Sequence, residues 1–456
     1  MNITSYLRHP NRVYFVTFFI ALFALACLNK VFAIPGLEYL REHNRMFNIL
    51  GIFSILGICV GLSHNRSAIN IKLVTYGMFL HFALAVLVLK TSIGQAAISS
   101  IAELFTKLYE AAGDGINFLF GNLAAPQGAW GFIFAIKVLP VIIFFGAFMS
   151  LLFHFGVIQR IVSVLGKLLQ PILGTSGAET LCAVANSFLG QTEAPLLIRH
   201  YLNNMTKSEF LVVMISGMGT ISGAILAVFA AMGVPAKHLL ASSVMAIPAT
   251  LIIAKILYPE TEQTQTAHGA TIDQVKTSGN ALDAISHGTT DGLQLALNVG
   301  AMLIAFLALL GLLNTLLSFS CTQLNTLFQA IGLSIALPII KLQDIFAAIC
   351  MPFAWLLGFT GLEAWRVGEL LGTKVAVNEL VAYGKLMTMG LSERTVAIVT
   401  YALCGFSNFS CIGIQIGGIG ALVPEKRAWL TEFGLYAVLG GALANLLSAM
   451  VASLLL

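Results

Sequence analysis

The chain alternates long apolar runs with short polar connections over its whole length. Most runs approach the roughly 20 residues that a helix needs to cross the hydrocarbon core of a bilayer. The pattern therefore predicts an all-α polytopic membrane protein, and the lipid bilayer is its expected partner. The runs lie at about 13–33, 46–63, 71–90, 128–157, 210–232, 237–257, 292–318, 343–361, 396–423 and 429–456.

Three stretches need a separate interpretation. The first apolar run follows a short basic segment, as in a signal peptide, but it is long and no clear small-residue cleavage site follows, so we expect a retained membrane helix. Residues 94–122 place apolar side chains at helical spacing, with charged residues opposite, which predicts a helix lying along the membrane surface. The longest polar segment, 261–292, predicts a connecting loop with a short amphipathic helix near 278–290.

The two halves on either side of this loop share an unusual order of segments. Each half has a Gly-Thr pair, a carboxylate-bearing segment too polar to span cleanly, a charged turn and an apolar helix broken by glycine. Paired discontinuous segments of this kind predict a transporter with inverted repeats and a binding site near the bilayer midplane. The segments are 174–198, 207–209 and 216–223 in the first half, and 372–383, 392–394 and 404–411 in the second.

Polar residues within these segments indicate a cavity. An ionisable side chain at the bilayer centre costs at least about 2.5 to 3.5 kcal/mol, so Glu193 and Glu379 need partners, water or a proton. Asn186, Gln191 and Thr192 accompany the first glutamate. Broken helices also expose carbonyl oxygens, which are suitable ligands for a hard cation. The pattern favours a site for a hydroxylated small molecule with a co-transported ion, although a structural carboxylate paired with a cation is the alternative.

Composition and charge narrow the function further. The chain is 58% hydrophobic and 10% charged, and its formal net charge of +4 is scattered, so no nucleic-acid partner is indicated. The seven cysteines lie mostly in apolar runs without a CxxC pair, which argues against a disulfide framework or a zinc site. Most basic residues lie in short loops that the positive-inside rule assigns to the cytoplasm, with Lys30, Arg41 and Arg45 as exceptions.

Six stretches together resemble the concentrative nucleoside transporter family, over about residues 46–456. The GQTEAPLL and ALCGFxN blocks within them are highly specific. The stretches are NSFLGQTEAPLLI, SGMGTISGAILA, ASSVMAIPATLIIAKILYPETE, GLQLALNVGAMLIAF, the GTKxxxNE segment and YALCGFSNFSCIGIQIGG.

The resemblance implies a homotrimer in which each protomer has a scaffold domain and a transport domain that moves like an elevator. It implies two re-entrant helical hairpins, at 176–199 and 365–388, and two partly unwound helices. The expected division of the chain is an extra N-terminal transmembrane helix (1–34), scaffold helices with an interfacial helix (35–157), the first half of the transport domain (158–258), a cytoplasmic loop with an interfacial and a scaffold helix (259–342), and the second half of the transport domain (343–456). The extra helix would place the N-terminus in the cytoplasm and the C-terminus outside.

The resemblance also assigns roles to individual residues. Those expected near the nucleobase are Gln191, Thr192 and Glu193, with Ile225 as an apolar contact. Those expected near the ribose are Glu379 and Asn408, with Phe406 nearby and Cys411 where relatives often have a ribose-contacting serine. Those expected to hold sodium are Asn186 and Thr220 through side chains, and Leu189 and Ile221 through carbonyls. Cys411 weakens a hydroxyl contact and leaves sugar selectivity open, whereas Thr220 keeps the hydroxyl.

These features lead to the hypothesis of a sodium-coupled importer of nucleosides such as uridine, in a bacterial inner (cytoplasmic) membrane, with no cofactor besides the co-transported Na+. The nearest alternative is proton coupling, in which Glu193 or Glu379 would carry the proton; Asn186 and Thr220 favour sodium. A membrane-embedded enzyme would need a nucleophile, a metal cluster or an acid/base pair, and apart from the two glutamates the sequence offers none. A passive channel is disfavoured, because closed hairpins around a polar site suit occlusion better than a continuous pore.

Overall fold

The fold is known from a computed structural model. It describes residues 21–30, 36–124, 133–267, 269–272, 278–332 and 338–456, and within these ranges the chain forms helices and turns but no strands. The predicted run at 13–33 falls partly outside the described residues.

Within the described residues of the first half we number ten helices in chain order, leaving out those of three to five residues. Polar side chains cap several of them. For example, the Asn70 side chain accepts a hydrogen bond from the Leu73 N–H at 3.2 Å, and the Thr91 hydroxyl accepts one from the Gly94 N–H at 3.1 Å. The helices are α1 (Ala21–Lys30), α2 (Arg45–Leu62), α3 (Ile71–Lys90), α4 (Ser92–Phe120), α5 (Leu139–His154), α6 (Val157–Leu173), α7 (Gly177–Asn186), α8 (Lys207–Gly219), α9 (Gly223–Ala231) and α10 (Ala236–Leu257).

Seven more helices lie in the part of the second half that the structure describes. Two of them, α12 and α13, are bent by 114° across a short break. The helices are α11 (Ala281–Ala330), α12 (Leu342–Leu356), α13 (Gly361–Ala376), α14 (Glu379–Thr388), α15 (Glu393–Leu403), α16 (Phe409–Leu422) and α17 (Arg427–Leu455). Short helical turns of three to five residues connect some of these elements.

Seven helical segments of the described residues are long and apolar enough to cross a membrane, or eight if the bent pair of α12 and α13 is one span. They differ strongly in burial. In the most apolar window of the α8–α9 segment every residue is buried, whereas in that of α11 only 11% are. The α8–α9 segment therefore lies in the interior of the fold, and α11 presents apolar side chains outward, as expected for a helix that faces lipid or another subunit.

One prediction about the central loop is wrong. The short amphipathic helix expected near 278–290 is not separate from the apolar run at 292–318, because both belong to the 50-residue helix α11. Glycines explain its continuity. A Cβ atom at Gly292 would lie 2.8 Å from the Ile143 Cα, so the main chains of α11 and α5 are in close contact through the polar part of α11. Packing against α5 thus supports helical structure where the polar sequence suggested a boundary.

Candidate functional site

The first hairpin begins with α7, and its chain reverses direction near Gln191, Thr192 and Glu193. Its start is fixed by Glu179, whose Oε1 accepts a hydrogen bond from the Ser176 N–H at 2.7 Å. After α7 the chain turns through residues 187–193 and returns as a short 3-10 helix, Ala194–Ile198, with Pro195 in its first turn. The returning arm is thus less regular than the first, which agrees with a proline that removes a main-chain donor.

The second hairpin consists of α13 and α14. Asn378 joins them, and its side chain accepts a hydrogen bond from the Val381 N–H at 2.9 Å, so that it caps α14. Glu379 is therefore the first residue of a helix, where the helix dipole stabilises a carboxylate. The helical arm of this hairpin begins at Gly361, four residues before the predicted start at 365.

Both predicted unwound helices are broken, over shorter segments than the glycine-rich sequences suggested. Residues 220–222 separate α8 from α9, and residues 404–408 separate α15 from α16. The two breaks touch each other, since the Phe406 N–H donates to the Thr220 carbonyl at 3.3 Å. The first hairpin meets them as well, because the Gly223 N–H donates to the Phe188 carbonyl at 3.0 Å.

Four of the predicted substrate residues meet at this junction, and we refer to Gln191, Glu379, Asn408 and Cys411 as the polar cluster. Asn408 Nδ2 donates to Glu379 Oε2 at 3.0 Å. Asn408 Oδ1 caps α16 by accepting a hydrogen bond from the Cys411 N–H at 3.1 Å. The Cys411 thiol lies near the side chains of Gln191 and Asn408. Residues from both hairpins and from α16 therefore contribute to one buried polar site.

The predicted sodium residues lie on the first hairpin and on the break that follows α8. Asn186 is fully buried, and its Nδ2 donates to Ser216 Oγ at 2.9 Å. Thr220 Oγ1 donates to the Ser216 carbonyl at 2.8 Å. Asn186 and Thr220 are thus brought to the same residue of α8, and Leu189 and Ile221 are both buried. The amide oxygen of Asn186 is buried without a hydrogen-bond partner, which is a cost unless a ligand supplies one.

The remaining predicted residues border the polar cluster. Thr192 packs on α16, where a Cβ atom at Gly418 would lie 2.9 Å from the Thr192 Cβ. Ile225 is buried in the first turn of α9, and Phe406 is half-buried within the second break. Glu193 is different, because it is exposed and its Oε2 accepts a hydrogen bond from the Gly190 N–H of its own turn at 3.1 Å. Among the described residues, no hydrogen bond joins Glu193 to Glu379.

Three buried polar residues at the site were not assigned a role from the sequence. Gln415 donates from Nε2 to the Met214 carbonyl at 2.9 Å, and its amide oxygen has no partner. Lys374 is buried, and its Nζ donates to Asn445 Oδ1 at 2.7 Å. Asn445 donates to the main chain of both breaks. Charged and amide side chains inside apolar runs were the available signal, because such residues are rare within a membrane.

Two hairpins and two broken helices around buried carboxylate and amide groups define a secondary transporter rather than a catalytic centre. The family comparisons agree. Models described as Na+ dependent nucleoside transporter N-terminus, Nucleoside recognition and Na+ dependent nucleoside transporter C-terminus match residues 50–123, 135–236 and 238–453. The chain belongs to the concentrative, Na+-dependent nucleoside transporter family.

Relatives resemble the chain over nearly its full length. It is 38% identical to the nucleoside permease NupC of Helicobacter pylori, over 90% of this chain and 97% of the relative. It is 36% identical to the sodium/nucleoside cotransporter 1 of Rattus norvegicus, over 89% of this chain and 64% of the relative. The structure of CNTnw in an inward-facing substrate-bound state matches with a TM-score of 0.82 and 37% identity, over 90% of this chain and 98% of that chain. The predicted family and all-α transporter fold are thereby confirmed.

Proposed function

We propose that this protein imports nucleosides such as uridine across a bacterial inner membrane and that a sodium gradient drives the import. The observation that carries the sodium assignment is the unpaired amide oxygen of Asn186. Its Nδ2 is engaged by Ser216, which leaves the oxygen as an acceptor without a donor in a fully buried position. A hard cation takes oxygen ligands of this kind. Thr220, which directly follows the end of α8 and donates to the Ser216 carbonyl at 2.8 Å, supports the same assignment.

The polar cluster supports a nucleoside as the substrate. Glu379 and Asn408 present a carboxylate and an amide from two different elements, and such groups hydrogen-bond the hydroxyls of a sugar. Gln191 lies near Cys411 and has a buried amide oxygen without a partner, so it can accept a hydrogen bond from a nucleobase. Glu193 reaches the base in this proposal only if its side chain leaves the Gly190 N–H. We therefore assign the base contacts to Gln191 and Thr192 first, with Ile225 as the apolar contact.

The proposed mechanism is an elevator movement of the transport domain within a homotrimer. The CNTnw relative has been solved in inward-facing and outward-facing states, which supports a large movement in this family. The outward apolar surface of α11 is a suitable contact for neighbouring subunits, as expected for the scaffold. Light scattering of the purified protein tests the oligomer, and a monomeric mass would contradict the trimer.

The decisive experiment measures uptake of labelled uridine into proteoliposomes under imposed gradients. A sodium gradient alone, with equal pH on both sides, is expected to drive accumulation above the external concentration. A pH gradient alone, in choline buffer, is expected to give only equilibration. Accumulation driven by the pH gradient would replace sodium with a proton as the coupling ion, and recovery of chemically altered uridine would instead indicate an enzyme.

A further inference from the structure

Asn445 lies on α17 where the two helix breaks come together, and it is fully buried. Its Nδ2 donates to two main-chain oxygens, the Gly219 carbonyl at 2.7 Å and the Cys404 carbonyl at 2.8 Å. Gly219 ends α8 directly before the proposed sodium residue Thr220. Cys404 opens the break that leads to Asn408. A single amide group therefore holds the main chain of both breaks.

Lys374 of the second hairpin fixes the orientation of this amide. Its Nζ donates to Asn445 Oδ1 at 2.7 Å and to the Ala402 carbonyl at 2.9 Å. Ser407 Oγ is a second, more distant donor to Asn445 Oδ1, at 3.4 Å. Because the amide oxygen accepts a hydrogen bond from Lys374 and both amide hydrogens have carbonyl acceptors, only one orientation of the amide satisfies all the partners. Ala402 lies in the last turn of α15, where the helix dipole also favours a cation.

Glycines allow the main chains to approach each other around Asn445. A Cβ atom at Gly405 would lie 2.9 Å from the Gly219 carbonyl carbon and 2.9 Å from the Met218 oxygen. A Cβ atom at Gly441, one turn before Asn445, would lie 2.9 Å from the Met218 carbonyl carbon. Since no side chains separate these segments, the first break cannot shift without moving the second or breaking the bonds to Asn445.

We infer that Asn445, held in place by Lys374, is a positioning residue that couples sodium binding at the first break to nucleoside binding at the second. Sodium beside Thr220 fixes the end of α8 and with it the Gly219 carbonyl. Through its hydrogen bond to the Cys404 carbonyl, Asn445 then fixes the position of Cys404. Cys404 in turn positions the start of α16, where Asn408 binds the sugar. Two ligands affect each other only through states that both of them stabilise, and this junction supplies such an element. The inference rests on the proposed sodium coupling and adds the residue that transmits it.

The test measures uridine affinity of the full chain in lipid nanodiscs, in sodium and in choline. For the wild type, sodium is expected to raise the affinity by about 5- to 150-fold, the usual range for coupled sites. Asn445→Leu keeps a similar volume but removes both hydrogen-bonding groups. It is expected to reduce the ratio of the two affinities to within about twofold of one, while the affinity in choline changes less.

Two further variants make the result specific. Ser448→Ala is the matched control, because Ser448 is fully buried one turn later on α17; it is expected to keep the wild-type ratio. Lys374→Met removes the donor that orients Asn445, so it is expected to lower the ratio of the two affinities as well. Thermal unfolding and gel-filtration elution show whether Asn445→Leu folds. If it does not, the ratio measured for Lys374→Met decides between the outcomes.

The outcomes separate the two levels of the proposal. A folded Asn445→Leu protein with the wild-type ratio overturns the inference and leaves sodium-coupled transport intact. If Asn445→Leu does not fold, a wild-type ratio in Lys374→Met has the same consequence. A wild-type protein whose uridine affinity is equal in sodium and choline contradicts the coupling itself, and the inference is then overturned with it.

Discussion

Asn408 and Glu379 are joined by a hydrogen bond of 3.0 Å between Nδ2 and Oε2, although 29 residues separate them in the chain. Asn408 belongs to the second helix break and Glu379 to the second hairpin, and both are buried. The bond orients the carboxylate. This hydrogen bond connects the second hairpin to the second break at the proposed position of the sugar.

The first prediction concerns this carboxylate. Glu379→Gln keeps the size of the side chain and can still accept from Asn408, but it loses the charge that strengthens hydrogen bonds to the ribose hydroxyls. Hydrogen bonds to charged groups contribute about 1.5 to 3 kcal/mol, so uridine affinity is expected to fall roughly 10- to 150-fold. Binding to protein in nanodiscs measures the loss. Glu369→Gln, which alters a partly exposed ion pair with Lys385 on the same hairpin, serves as the control and should bind normally.

The second prediction concerns the ion. Asn186→Ala removes the unpaired buried oxygen, and the sodium concentration for half-maximal uptake is expected to rise by about tenfold or more, because an ion ligand is lost. Ser187→Ala is the control, since the Ser187 hydroxyl donates to the Ser243 carbonyl at 3.1 Å instead. Uptake at a series of sodium concentrations distinguishes them. An unchanged sodium requirement in Asn186→Ala would remove Asn186 from the ion site.

The third prediction concerns sugar recognition by Cys411. A thiol is a weak hydrogen-bonding group, and this one lies near both Gln191 and Asn408. Cys411→Ser replaces it with a smaller, stronger donor and acceptor and is expected to raise affinity for uridine by about fivefold, equivalent to roughly 1 kcal/mol, without a comparable change for deoxyuridine. Competition of each nucleoside against labelled uridine measures the two affinities. Equal gains for both would show that Cys411 does not distinguish the sugars.

The fourth prediction concerns stability away from the proposed transport site. Lys255 Nζ lies 2.7 Å from Glu179 Oε2, and their side chains are 5% and 1% exposed. This pair joins the base of the first hairpin to α10. Removing one partner of a buried pair costs about 3 to 5 kcal/mol, so Lys255→Met is expected to lower the apparent unfolding temperature by several degrees.

A second substitution tests whether the uncompensated charge is the cause. The double variant Lys255→Met with Glu179→Gln leaves no charge on the pair and is expected to recover part of the loss. Lys385→Met breaks a more exposed pair with Glu369 and should cost no more than about 1 kcal/mol. If the double variant were less stable than Lys255→Met alone, the charge argument would be wrong.

Much of the architecture could be predicted from the sequence, because a helix needs roughly 20 apolar residues to cross the hydrocarbon core of a bilayer. The last run, predicted at 429–456, is the helix Arg427–Leu455. Both helix breaks were predicted because glycine and polar residues interrupted apolar runs. The continuity of α11 could not be predicted, since it depends on the fit of Gly292 against Ile143 on another helix.

Less of the site than of the fold could be predicted from the sequence. Asn186 and Glu379 stood out as polar residues in apolar surroundings, and the family resemblance gave them roles. The proposed role of Asn445 depends on a contact with Gly219, which is 226 residues away in the chain. The sequence around Asn445 does not indicate such a contact. Glu193 is exposed and accepts a hydrogen bond within its own turn, from the Gly190 N–H, and the sequence spacing revealed neither feature.

The fifth prediction concerns the close contact between the breaks. Gly405→Ala would place a Cβ atom 2.9 Å from the Gly219 carbonyl carbon and 2.9 Å from the Met218 oxygen, and also against Asn445 Oδ1. Two of these atoms belong to the main chain and cannot rotate away, so the breaks must separate. We expect the variant to lose uridine uptake even where it is recovered as folded protein.

Gly413→Ala is the matched control for this clash. Gly413 lies on α16, eight residues after Gly405, and a Cβ atom there meets nothing within 4 Å. Alanine within a helix is more favourable than glycine by about 0.8 to 1 kcal/mol, so this variant should fold and transport at least as well as the wild type. Side-by-side uptake assays at matched expression compare the two. Normal uptake by Gly405→Ala would mean that the breaks tolerate separation, and the close contact would then be unnecessary for transport.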